Sequence, residues 1–113
     1  MRFEVVEISS TANKVLLVGR LDATTVGQVE TPFTAAVAAS GRNALIDLTE
    51  LEFLSSLGIR LLLSSARVVS RRGGTVVLFG AQPMVAEVLE AMALDQMLPL
   101  VGTEAEAMAR LPG

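Results

Sequence analysis

Apolar and polar positions alternate, run together and space out in turn along the chain, and each change of period predicts an element. Residues 3–9 and 14–19 are two short β-prone runs. The polar Ser9-Ser10-Thr11-Ala12-Asn13 between them has the length of a hairpin loop. Val15-Leu16-Leu17-Val18 is apolar without alternation, as expected of a strand covered on both faces. The first run carries Glu4 and Glu7 and reads as a sheet edge. Next, Val26, Val29, Phe33 and Val37 fall at helical spacing, one stripe of a helix running to about Ser40 and closed by Gly41. Thr25 with Gln28 reads as the capping box that opens it. Pro32 removes a hydrogen bond in mid-helix. A helix restarting at Thr31–Pro32 is the alternative, but the stripe keeps its phase through Pro32, so a kinked single helix is predicted.

A short buried strand is predicted over 44–48, followed by Ser55-Ser56 and, from Leu57, a long helix. Leu57, Leu61, Leu62, Ala66, Val68 and Val69 cover a broad apolar arc, while Arg60, Ser64, Arg67 and Arg71 form one polar stripe. Arg71-Arg72-Gly73-Gly74 supplies the positive charge and the left-handed residue that end a helix. A fourth strand is predicted over 75–79, then a turn whose Pro83 starts a helix buried through Val85, Val88, Leu89 and Met92. A short last strand is expected over 97–101. Thr103 and Glu106 form a capping box for a terminal helix packed through Ala105, Met108, Ala109 and Leu111. The order ββαβαβαβα, with three right-handed crossovers, makes an α/β fold. It predicts one domain over 1–113, with a mixed four- to five-stranded sheet and about four helices mainly on one side.

Composition narrows the chemistry. The chain has 113 residues, 51% hydrophobic and 19% charged, so one folded domain is expected and disorder is not. The formal charge of −3 argues against a nucleic-acid or anionic-membrane binder. With no Cys and no His, the chain lacks disulfides, thiolates and the commonest general base and metal ligand. No metal or cofactor is expected, and no catalysis. There is no apolar run of the roughly 20 residues that cross a bilayer, and no signal-peptide pattern, so a cytoplasmic protein is expected. Met84, Met92, Met97 and Met108 read as core filler. The arginine stripe reads as a solvated helix face, with Arg71 and Arg72 complementing the helix's own C-terminus. Asp22, Asp47, Glu50 and Glu52 show no calcium-loop spacing, and no Walker loop or dinucleotide fingerprint is present.

The candidate chemistry lies at Ser55-Ser56-Leu57-Gly58, hydroxyls placed where a strand feeds a helix. Serine there is first of all a good N-cap. The Glu or Gln that would complete a capping box is absent, and Leu57 and Gly58 leave a small apolar start that suits a partner surface. Unpaired N–H groups at that end can also hold a phosphate.

The stretch Asp47-Leu48-Thr49-Glu50-Leu51-Glu52-Phe53-Leu54-Ser55-Ser56-Leu57-Gly58 resembles the signature of the STAS family, which includes anti-sigma-factor antagonists and related transporter domains. In that signature a strand ends in Asp-Leu or Asn-Leu, a Phe comes next, and Asp-Ser-Ser-Gly-Leu starts a helix. Gly19-Arg20-Leu21-Asp22 is similar to the family's Gly-x-Leu-Asp after its second strand. Three positions depart from the pattern: Ser55 replaces the Asp, Leu57 the second Ser, and Arg60 a frequent Gly.

The resemblance implies an antagonist that binds a serine-kinase anti-sigma factor, is phosphorylated by it on Ser56 (Ser55 as the alternate), and is reset by a serine phosphatase. It implies a partner surface of Leu21, Asp22, Ala23, Ser55, Ser56, Leu57, Gly58 and Arg60. A phosphate at Ser56 adds ~1.5–2 negative charges at a helix N-terminus that tolerates them, so the domain stays folded while docking is lost. The alternative implied by the same family is a soluble subunit of a membrane transport or lipid-trafficking complex.

Overall fold

The computed structural model describes residues 1–38, 43–94 and 97–112. Among the described residues, five strands, β1 (Arg2–Glu7), β2 (Ala12–Leu21), β3 (Asn43–Leu54), β4 (Val76–Phe79) and β5 (Leu100–Val101), form one sheet in sequence order. The first pair is antiparallel and the other three are parallel, as the two opening strands and the later crossovers require. Helices α1 (Ala23–Ala38), α2 (Ser56–Arg71) and α3 (Pro83–Ala91) are the crossovers, and α4 (Glu104–Ala109) follows β5.

The main core joins one face of the sheet to the three crossover helices. Ala44, Ile46, Leu48, Val76 and Leu78 meet Val29 and Phe33 of α1, Leu62 and Val69 of α2, and Val85 and Leu89 of α3. The opposite residues of the same strands, Leu45, Val77 and Phe79, pack with Ala107 of α4 in a smaller cluster. α4 is tethered on that side by Lys14, whose ammonium donates to Glu104 at 2.8 Å. That hydrogen bond is the main reason the Lys14 pKa is raised.

α1 is one helix through Pro32, which sits on its exposed side while Val26, Val29, Phe33 and Val37 are buried as their spacing predicts. Its start differs from the expected Thr25–Gln28 box. Asp22 is the capping residue: its Oδ1 accepts from the N–H groups of Thr24 and Thr25, and the Thr25 hydroxyl accepts from the Asp22 N–H at 2.9 Å. The box is real but one turn earlier, with Thr in the role usually taken by Glu. The predicted end at Ser40 and Gly41 lies outside the described residues.

α2 ends as the arginine and glycine signals predict. Gly73 adopts φ +85°, its N–H donates to Ser70, and the Gly74 N–H donates to Val69, the two bonds of a Schellman motif. Arg60, Ser64, Arg67 and Arg71 are all exposed. Arg72 corrects the reading of the last two arginines, because it serves a different helix: its guanidinium donates to the Ala38 carbonyl at the end of α1, at 2.6 Å. The methionines also correct the sequence reading. Met84, Met92, Met97 and Met108 are 69%, 55%, 64% and 39% exposed, and the core is filled by leucine, valine, isoleucine, phenylalanine and alanine side chains instead. The terminal helix buries Ala107, whereas Ala105, Met108 and Ala109 face solvent. Its Thr103–Glu106 box forms as predicted.

Candidate functional site

The largest departure from the sequence reading builds the site. β3 continues past Leu48 to Leu54 and pairs with β2 well beyond the end of β4. It does so with two bulges: β3 takes seven steps from Asp47 to Leu54 while β2 takes five from Leu16 to Leu21. A bulge leaves one residue unpaired and rotates the strand beyond it. As a result Leu48, Leu51 and Leu54 all reach the core at three-residue spacing, while Glu50 and Glu52 stay exposed. Asp47 belongs to this device. Its buried carboxylate accepts from the Thr49 N–H at 2.9 Å and the Thr49 hydroxyl at 2.7 Å, fixing the backbone at the first bulge.

The ribbon of β2 and β3 then delivers two helix starts to the same place. β2 leads into α1 through Leu21 and Asp22, and β3 leads into α2 through Leu54 and Ser55. The Ser55 N–H donates to the Leu21 carbonyl at 2.9 Å, which ties the two junctions together. Ser55 is the N-cap of α2, with extended backbone and its Oγ accepting from the Gly58 N–H at 3.2 Å. Ser56 is the first helical residue. It is exposed, and its hydroxyl has no partner among the described residues. The two adjacent serines thus have separate occupations: one closes the helix, and the other is presented to solvent.

Around Ser56 the exposed positions are Ala23, Leu57 at 40% exposure and Arg60, with Asp22 partly buried. Leu21 and Gly58 were expected on the same surface, but both are buried beneath it. Gly58 allows a close approach. A Cβ there would stand 2.7 Å from Leu54 Cδ1, which can swing aside, and 3.0 Å from the Leu21 carbonyl oxygen, which is backbone, so a larger residue would push α2 away from the end of β2. Leu21 and Gly58 therefore set the height of the surface and do not offer side chains to a partner.

The electrostatics are asymmetric. The first turn of α2 has no acidic residue. The nearest cation on the helix is Arg60, one turn beyond Ser56. Asp22 is the acidic group at the junction, and hydrogen bonds from the Thr25 backbone and side chain and from the Thr24 N–H hold its carboxyl below the usual aspartate range, with help from the Arg20 charge. Arg20 is the residue that the sequence reading passed over. Its guanidinium carbon lies 4.4 Å from the centroid of the Phe53 ring, its register partner on β3. It was legible as the variable position of the Gly-Arg-Leu-Asp motif, but only the pairing of β2 with β3 puts it beside Phe53.

Among the described residues, no group of three or more acidic, His or Cys side chains is arranged to hold a metal ion, and no helix is long and apolar enough to cross a membrane.

The chain and its fold have counterparts among known proteins. The chain is 29% identical over 93 residues to BtrV of Bordetella bronchiseptica, a protein named for anti-sigma factor antagonism, covering 82% of this chain and 80% of that one. A STAS domain protein of Planctomyces limnophilus superposes with a TM-score of 0.83 at 28% identity, covering 95% of both chains. Unphosphorylated SpoIIAA, an anti-sigma factor antagonist, shares the fold with a TM-score of 0.78 at 24% identity over 96% of this chain and 95% of that one. The STAS domain model matches residues 4–107, nearly the whole of the fold, and the chain belongs to the STAS domain family.

Proposed function

We propose that this protein is an anti-sigma-factor antagonist whose binding surface is switched at Ser56. The observation that carries the reading is the division of labour between the serines. Ser55 spends its hydroxyl on the helix cap, and Ser56 stands exposed at the first position of α2. Unmodified, the surface of Asp22, Ala23, Ser56, Leu57 and Arg60, with Leu21, Ser55 and Gly58 as its frame, docks a serine-kinase anti-sigma factor. Transfer of the γ-phosphoryl group of ATP to the Ser56 oxygen breaks its bond to the β-phosphate, releases ADP and the hydroxyl proton, and adds ~1.5–2 negative charges. The helix N-terminus accommodates that charge, so the fold stays intact. Docking fails because the charge would have to be desolvated against the partner. A serine phosphatase resets the surface. The protein itself supplies no catalytic group.

The test is incubation of the purified protein with a serine-kinase anti-sigma factor and ATP, followed by mass spectrometry and binding measurements. Phosphate is expected on Ser56. Ser56→Asp should weaken binding by about tenfold or more, and Ser56→Ala should bind without being released. Phosphate confined to Ser55, or equal affinities of the two variants, overturns the assignment. A second reading, a soluble STAS subunit of a transport or lipid-trafficking complex, is favoured by one observation: the residue before Ser56 is a capping serine where antagonists of this family carry a carboxylate. Absence of any phosphate would favour it.

A further inference from the structure

The two edges of the sheet are unequal. β5 is two residues long, whereas β1 offers six, Arg-Phe-Glu-Val-Val-Glu, at the opposite edge. Natural edge strands are blunted by charged side chains, lysine above all, or by proline, bulges or short length. β1 has no lysine, proline or bulge; its charges are Arg2, Glu4 and Glu7, of both signs, and its pairing with β2 runs unbroken from Arg2↔Val18 to Glu7↔Asn13. The Ile8 N–H donates to the Ala12 carbonyl at 3.1 Å, at the end of that ladder. Antiparallel alternation then turns the backbone groups of Arg2, Glu4 and Val6 toward β2 and those of Phe3 and Val5 outward. Val5 and Val6 are 47% and 45% exposed, on opposite faces of the edge. Phe3 anchors the strand through an edge-to-face contact with Phe33, centroids 5.7 Å apart.

We propose that β1 pairs antiparallel with β1 of a second copy, about a two-fold axis through Phe3, joining the two sheets. Charge selects the register. Facing residues in such a pair must lie on the same face, so the centre falls on Phe3, Glu4 or Val5 if most of the strand is to be paired. Centring on Glu4 sets two carboxylates directly opposite each other, which is destabilising. Centring on Val5 leaves Glu4 facing the valine at position 6 of the other copy. Centring on Phe3 sets Arg2 opposite Glu4 of the second copy, twice. Within one chain Arg2 already donates to Glu4 at 2.7 Å, both side chains being largely exposed. The four charges then alternate in sign around a square on one face, while Phe3 meets Phe3 and Val5 meets Met1 on the other. The outward N–H and C=O groups of Phe3 and Val5 complete the ladder, making the isologous interface of a symmetric dimer.

Sedimentation equilibrium of the full chain, from micromolar to submillimolar concentration, reads the association. A dimer is expected. Arg2→Glu and Glu4→Arg, each gathering four like charges, should raise its dissociation constant by about tenfold or more, and the double reversal should restore it. Val5→Pro deletes an N–H that points away from β2, so it should weaken the dimer while circular dichroism shows the fold intact. A chain that stays monomeric throughout overturns the proposal and leaves the edge to a strand of another protein. A dimer indifferent to the single reversals, or one that the double reversal fails to rescue, overturns it as well.

Discussion

α1 and α2 start side by side at the end of the same two-stranded ribbon, yet their N-termini are finished with opposite chemistry. At α1 the cap is a carboxylate. Asp22 and Thr25 satisfy each other's backbone N–H groups, and the positive end of the helix dipole is met by a charge that belongs to the chain. At α2 the cap is a neutral hydroxyl, the first turn carries no acid, and Arg60 lies one turn on. The first junction is electrostatically complete, while the second keeps an unmet preference for negative charge beside an exposed hydroxyl. The difference teaches that a helix start can be capped for stability without being neutralised, which leaves room for a charge that arrives later.

That contrast can be broken at the shared floor, where the largest effect is expected. Gly58→Val drives a branched side chain against the Leu21 carbonyl oxygen and should cost ~1–3 kcal/mol in urea unfolding, separating the two junctions. A loss near zero would mean that α2 can shift away from β2 freely. Next come the two serines. Ser55→Ala removes the cap and should destabilise by ~1 kcal/mol, whereas Ser56→Ala should stay within ~0.5 kcal/mol of the parent. Equal losses would erase the distinction on which the proposed switch rests.

The smallest effect sharpens the comparison from the other side. The Asp22 carboxyl has a depressed pKa in the fold. Its contribution to stability is therefore fully present above the aspartate pKa of the unfolded chain, and is lost as pH falls through the lower folded value. In acid titrations followed by circular dichroism, Asp22→Asn should lie below the parent in stability near neutrality and converge with it in acid. No such titration is expected from Ser55→Ala, because its cap carries no charge.

Every element in the order ββαβαβαβα could be read from the sequence, because helical stripes such as Val26, Val29, Phe33 and Val37 and continuous runs such as Val76–Phe79 state their period locally. The serine pair at the start of α2 was equally legible, since capping is a local affair of a few residues. The far half of β3 was not legible. Leu48, Leu51 and Leu54 repeat every third residue, a period that belongs to neither an alternating strand nor a helix stripe, and only pairing with β2 through two bulges makes it a strand. The methionines and Arg72 were misread for a related reason. A flexible side chain such as methionine suits either core or surface, and an arginine near one helix end can reach the carbonyl of another. The sequence alone determined the order of strands and helices, the near half of β3 and which hydroxyls begin α2, because those depend on neighbours along the chain. Tertiary structure alone decided that Ser55 closes the helix while Ser56 faces solvent, and that Leu21 and Gly58 lie beneath the surface. Those assignments depend on where β2 ends against α2, a contact between residues more than thirty positions apart.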